Sequence, residues 1–176
     1  MSELFVFATG QLGRDGNETE SPALISVPWP SEEYRIIDIQ TGWSHTVVLL
    51  EQVRTNERTL YGWGRNDRRN LGLGHTDASS SSIHAPTHLP VTNVQSFSCG
   101  SEFTVAVDTN GTLLTCGWNE HGNLGYAANE FSATWQSLSH SPLVQPPGTH
   151  MNNGEYSVCL AAGGSHFLAA RVAPTT

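Results

Sequence analysis

The chain has 176 residues, 16 acidic against 8 basic side chains and a formal net charge of −8, with 38% hydrophobic and 14% charged residues; this composition excludes a disordered polyelectrolyte and a charged helical bundle. The acid excess disfavours nucleic acid and anionic membrane as direct partners. No stretch reaches the roughly 20 apolar residues of a membrane helix, and Met1-Ser2-Glu3 does not open a basic region followed by an apolar core, so a soluble, unsecreted protein is expected.

The first apolar run, Phe5-Val6-Phe7-Ala8, leads through Gly10 to a Leu12-Gly13 pair. Residues 36–49 then read as two strands about Gly42. Within them Thr46-Val47-Val48-Leu49-Leu50 is apolar on both faces, as in a strand with a sheet stacked on either side. Leu60-Tyr61-Gly62-Trp63-Gly64 runs on to Leu71-Gly72, and residues 94–107 are again two runs, about Gly100, with Phe103, Val105 and Val107 alternating with Thr104 and Ala106. Asp108-Thr109-Asn110-Gly111-Thr112 predicts a tight hairpin, because Asn-Gly supplies the positive φ angles that such a turn needs. Leu114-Thr115-Cys116-Gly117-Trp118 leads to Leu124-Gly125. Residues 126–155, with Trp135, Pro142, Pro146 and Pro147, are expected to form an irregular loop, and residues 157–170 are two runs about Gly163. Cys99, Cys116 and Cys159, an odd count, give no disulfide framework and are expected to be reduced packing residues.

The same two blocks therefore occur three times at a period of roughly 60 residues. Gly42, Gly100 and Gly163, each between apolar runs, mark a turn or bulge where a side chain would clash with adjacent backbone. Three places after these glycines stand His45, Phe103 and His166; the two histidines are expected to hydrogen-bond backbone at the turn rather than act as bases. This pattern resembles the regulator-of-chromosome-condensation repeat over nearly the whole chain. Residues 117–125 followed by Gly163-Gly164-Ser165-His166 are most similar to the alpha-tubulin suppressor and secretion-regulating guanine-nucleotide-exchange-factor branch. The resemblance implies an all-β fold: three four-stranded blades of a β-propeller, incomplete relative to a seven-blade ring, in a single repeat domain 1–176 with repeats at about 1–58, 59–110 and 111–176. Open blade faces and strand edges lead us to expect self-association, a tightly held partner or poor solubility.

Few residues suggest chemistry. Gly62-Trp63-Gly64 begins like a dinucleotide fingerprint, but its third glycine is misplaced and no helix follows, so it reads as a blade turn. His84 and His88 have helical metal-ligand spacing, yet Ala85, Pro86 and Pro90 make the segment a loop, and no cysteine pair accompanies it. No catalytic, cofactor or metal site is expected. Function is sought instead in the loops, where Arg65, Asp67, Arg68 and Arg69 form a basic cluster that could receive an acidic partner. The corresponding turn carries Trp118, Asn119, Glu120 and His121, and Trp63 and Trp118 are taken as matching positions. The expected role is a non-enzymatic protein-interaction module. By resemblance, its partner would be a small zinc-ribbon protein in tRNA wobble-uridine modification and diphthamide synthesis, or a small GTPase whose nucleotide exchange it accelerates. A cytoplasmic and also nuclear location is expected.

Overall fold

The computed structural model describes residues 5–6, 25–26, 33–74, 81–138 and 157–172. They form twelve strands: β1 (Phe5–Val6), β2 (Ile25–Ser26), β3 (Tyr34–Thr41), β4 (His45–Gln52), β5 (Arg58–Arg65), β6 (Ser82–Thr92), β7 (Val94–Cys99), β8 (Phe103–Asp108), β9 (Leu113–Trp118), β10 (Phe131–Ser137), β11 (Ser157–Ala162) and β12 (Phe167–Val172). Pairing is antiparallel between consecutive strands and produces two complete four-stranded sheets, β3-β4-β5-β6 and β7-β8-β9-β10, beside two pairs, β1-β2 and β11-β12. Among the described residues two blades are thus complete, and each of the two pairs supplies only half the strands of a blade. The Leu12-Gly13 pair and residues 139–155 of the expected long loop lie outside the described residues; the part of that loop that is described is not irregular throughout, since Phe131–Ser137, with Trp135, form β10 on the edge of the second sheet.

The sheets are out of phase with the sequence repeats. Residues 59–110 hold β5 and β6 of one sheet and β7 and β8 of the next, so each repeat supplies the second half of one blade and the first half of its neighbour. By the repeat alignment β1 corresponds to β5 and β9, and β11-β12, which carry Gly163 at their turn, correspond to β3-β4 and β7-β8.

Packing follows from β4, whose residues alternate between two cores. Val47 and Leu49 join Leu60, Leu71 and Leu89 against Phe97, Cys99 and Ala106 of the second sheet, while Val48, Leu50 and Trp63 pack on the opposite face with Tyr34 and Ile36. A third cluster joins Val105, Val107 and Leu113 to Val158 and, half-buried, Phe167 and Ala169. The principal cores thus lie between blades, which is why no blade could bury its apolar face alone. Cys99 and Cys116 are buried free thiols pushed well above the usual thiol range by desolvation, as packing residues should be, but Cys159 is exposed on β11.

Two local expectations need correction. In the hairpin between β8 and β9 only Gly111 takes a positive φ, of 82°; the Asp108 carboxylate accepts from the backbone N–H groups of Asn110 and Thr112, both at 2.8 Å, and so does the work assigned to Asn110. His84 and His88 lie in β6 rather than a loop, because β6 is an edge strand, where proline is tolerated. Four residues along a strand span about 13 Å, too far for one metal ion. His88 instead meets the Thr59 hydroxyl at 2.8 Å.

Candidate functional site

Two loops leave the same end of the complete blades, and they are built alike. Residues 64–72 run on from the last two residues of β5 and residues 117–125 from the last two of β9, and they match position for position without a gap. Gly64 and Gly117 enter with φ of 105° and 110°; at Gly117 a Cβ would press on the backbone of Phe103 at 2.6 Å. Inside each loop an asparagine carbonyl accepts from the leucine N–H, Asn66 from Leu71 at 3.0 Å and Asn119 from Leu124 at 2.9 Å. A second asparagine reaches back to the entry carbonyl, Asn70 to Arg65 at 2.9 Å and Asn123 to Trp118 at 2.7 Å. Arg69, at φ 61°, occupies the place of Gly122 at φ 71°. The frame is therefore fixed by four asparagine amides, three of them buried and Asn123 half-buried, and the tips are left to differ.

This alignment corrects the tryptophan pairing. Trp118 corresponds to Arg65, and Trp63, which is wholly buried, corresponds to Cys116. Two of the expected contact residues are also removed from the surface. Asn119 is fully buried and holds its own loop, and Arg69 is 8% exposed with its guanidinium 5.7 Å from the centre of the Phe131 ring.

Arg65, Asp67, Arg68, Trp118, Glu120 and His121 remain at the loop tips, where Trp118 and His121 meet edge to face at 5.0 Å. The expected basic cluster is neutralised from within. Arg65 pairs with Asp67 at 2.5 Å, and that carboxylate raises the guanidinium's already high pKa. Arg68 sits 3.9 Å from Glu102, 3.7 Å from Glu120 and 3.6 Å from Glu130, all contributed by the second blade. With Arg65, Arg68 and Arg69 set against Asp67, Glu102, Glu120 and Glu130, the surface carries one net negative charge and is not the basic patch that four residues read in isolation suggest. Sequence reasoning missed Glu102 and Glu130 because they lie far from Arg68 along the chain and outside both matched loops.

The expected backbone clash is present at Gly42, and the repeat glycines serve a second purpose as well. A Cβ on Gly42 would strike the His45 ring as well as the Gly100 carbonyl, and one on Gly100 would fall within the Phe103 ring. The glycine is the floor on which the ring three places later lies. His45 is buried, and desolvation lowers its pKa to about 4. Its Nε2 lies 3.3 Å from the Thr104 hydroxyl, which in turn donates to the Asn70 carbonyl at 2.6 Å. With the Thr104 proton committed to Asn70, Nε2–H of neutral His45 is the donor to Thr104. The partner is thus a side chain of the next blade rather than backbone. His166 is exposed.

Consecutive antiparallel four-stranded sheets that share their cores define a segment of a β-propeller. The chain belongs to the family of regulator of chromosome condensation (RCC1) repeats, whose models match residues 59–107 and 94–123. It is 32% identical to the ultraviolet-B receptor UVR8 of Arabidopsis thaliana over 126 residues, 70% of this chain and 27% of that protein. It is also 32% identical to the secretion-regulating guanine nucleotide exchange factor of Bos taurus over 139 residues, 78% of this chain and 26% of that protein. The chain thus spans about a quarter of the length of these relatives. Among solved structures, Prp20p of Saccharomyces cerevisiae superimposes with a TM-score of 0.67 at 20% identity, over 98% of this chain and 40% of Prp20p. Human WBSCR16 superimposes with a TM-score of 0.71 at 19% identity, over 95% of this chain and 40% of that one.

Proposed function

We propose that this chain is a non-enzymatic protein-binding part of a propeller, whose partner docks on the loops 64–72 and 117–125 in the cytoplasm or nucleus. The observation that carries this reading is the pair of loops itself: one rigid frame used twice, with Arg65, Asp67 and Arg68 on one copy and Trp118, Glu120 and His121 on the other. Such tips bind with little ordering cost because buried asparagines have already fixed the backbone.

For the partner class, similarity to a secretion-regulating guanine nucleotide exchange factor favours a small GTPase. Exchange on this surface would require no catalytic side chain: loops that bind the nucleotide-free GTPase better than the loaded form shift the population toward release. The alternative, a small zinc-ribbon protein in tRNA wobble-uridine modification and diphthamide synthesis, rests on the sequence resemblance alone. The test is release of a fluorescent GDP analogue from a panel of small GTPases, together with capture of partners from native cells at physiological salt. Accelerated release from one GTPase supports exchange; no acceleration and no retained GTPase overturns it, and recovery of a stoichiometric zinc-ribbon protein supports the alternative.

A further inference from the structure

The most exposed large apolar side chain on the described surface is Trp43, 79% accessible, on the turn between β3 and β4. Its backbone is clamped: Gly42 N–H donates to the His45 carbonyl at 2.9 Å, Trp43 N–H to the Ser101 carbonyl at 3.0 Å, and Arg65 N–H to the Ser44 carbonyl at 2.7 Å. The indole is therefore displayed from a fixed base. The corresponding places on the following blades hold Ser101 and Gly164, and Ser101 N–H donates to the Gly164 carbonyl at 3.1 Å. One large aromatic thus stands next to two small residues along a continuous run of turns.

The bond to Ser101 places Trp43 beside the segment that carries Glu102, and the bond from Arg65 to Ser44 brings the loop 64–72 to the same end. Along that end, Arg68 faces Glu102, Glu120 and Glu130 at no less than 3.6 Å from any of them, and with the Arg69 guanidinium over Phe131 three carboxylates stand against two guanidinium groups, an excess of one negative charge. Glu120 and Glu130 have side chains 47% and 67% exposed.

We propose that Trp43 is the aromatic anchor of a docking surface for an arginine-bearing segment of a protein partner. The indole face takes the guanidinium plane or the stem beneath it, and Glu120 and Glu130 supply the charge complement. This deepens the protein-binding reading by naming the anchor and the chemistry it accepts. Apolar burial on Trp43 sets residence time, and the carboxylates set orientation and the salt dependence of association.

The experiment is fluorescence anisotropy of a labelled oligo-arginine peptide titrated with the whole chain, beside an oligo-glutamate control. Binding of the arginine peptide alone is expected, weakened about tenfold by Trp43→Ala and retained by Trp43→Phe, which keeps an aromatic face. The double variant Glu120→Gln, Glu130→Gln should weaken it at low salt, with the difference shrinking as salt rises. Absence of binding, or equal binding by Trp43→Ala, overturns the proposal, the second outcome by tracing attraction to net charge alone. A partner captured from cells equally well by Trp43→Ala would overturn this anchor and leave the protein-binding reading standing. Peptide binding without any captured partner would do the reverse.

Discussion

The junction between the two complete blades and the junction between the second blade and β11-β12 use one plan with opposite chemistry. In both, the residue two places before the repeat glycine accepts from the next blade's backbone: Gln40 Oε1 from Cys99 N–H at 3.3 Å, Ser98 Oγ from Ala162 N–H at 3.0 Å. In both, the residue after the glycine hands a hydrogen bond to its counterpart. The ring three places after the glycine then differs. At the first junction it is His45 against Thr104, a polar relay ending on a carbonyl; at the second it is Phe103 with Phe167, ring centres 6.3 Å apart. A histidine facing a threonine and a phenylalanine facing a phenylalanine are thus two solutions to the same steric slot, and only the first responds to protons.

The largest expected effect tests the shared floor. Gly100→Val should cost about 4 kcal/mol, beyond ordinary overpacking, because the new branch enters the ring of Phe103, which is fully buried and has nowhere to turn. Gly163→Val, whose Cβ would meet the exposed His166 ring at 2.9 Å, should cost under about 1 kcal/mol since that ring can swing into solvent. Urea midpoints of the two variants check this, and equal losses would break the comparison.

Acid should separate the junctions next. Burial holds folded His45 at a pKa of about 4, below the ordinary 6.5, so between these values the unfolded chain takes a proton that the folded chain refuses. Stability falls as pH drops from about 6.5 to about 4, by up to about 3 kcal/mol from this residue. His45→Phe, which converts the first junction toward the second, should abolish that component; denaturation curves at pH 7 and pH 4.5 for both proteins would show it.

Thr104→Val keeps the shape and removes the hydroxyl. It leaves the His45 N–H without an acceptor, and a loss of about 2 kcal/mol at neutral pH is expected. The smallest effect belongs to Arg68→Gln, under about 1 kcal/mol by thermal melting, because the guanidinium is half-exposed and stands beyond hydrogen-bond distance of its carboxylates.

The repeat glycines, the Leu-Gly loop exits and the doubly buried β4 were legible in the sequence, because each imposes a local pattern: a glycine between apolar runs, or an unbroken apolar stretch. The phase of the sheets was not. Residues 59–110 look like a unit in sequence, and nothing in their pattern says that β6 closes one sheet and β7 opens another. The Arg65–Arg69 cluster misled for a related reason. Its charge is set by Asp67 beside it and by Glu102, Glu120 and Glu130 on the next blade, and counting basic residues along the chain cannot see across that gap.

The half-blade offset has a consequence for how such chains grow and how they can be cut. A cleavage at a sequence-repeat boundary divides a sheet, whereas one at Asn93, between β6 and β7, passes between two complete sheets. Conversely, a tandem duplication of residues 59–110 would insert a β7-β8 half that must be completed by the β5-β6 half of the following copy. Any added unit is therefore dovetailed into its neighbours from the moment it arises, and the array lengthens by interlocking rather than by stacking finished parts.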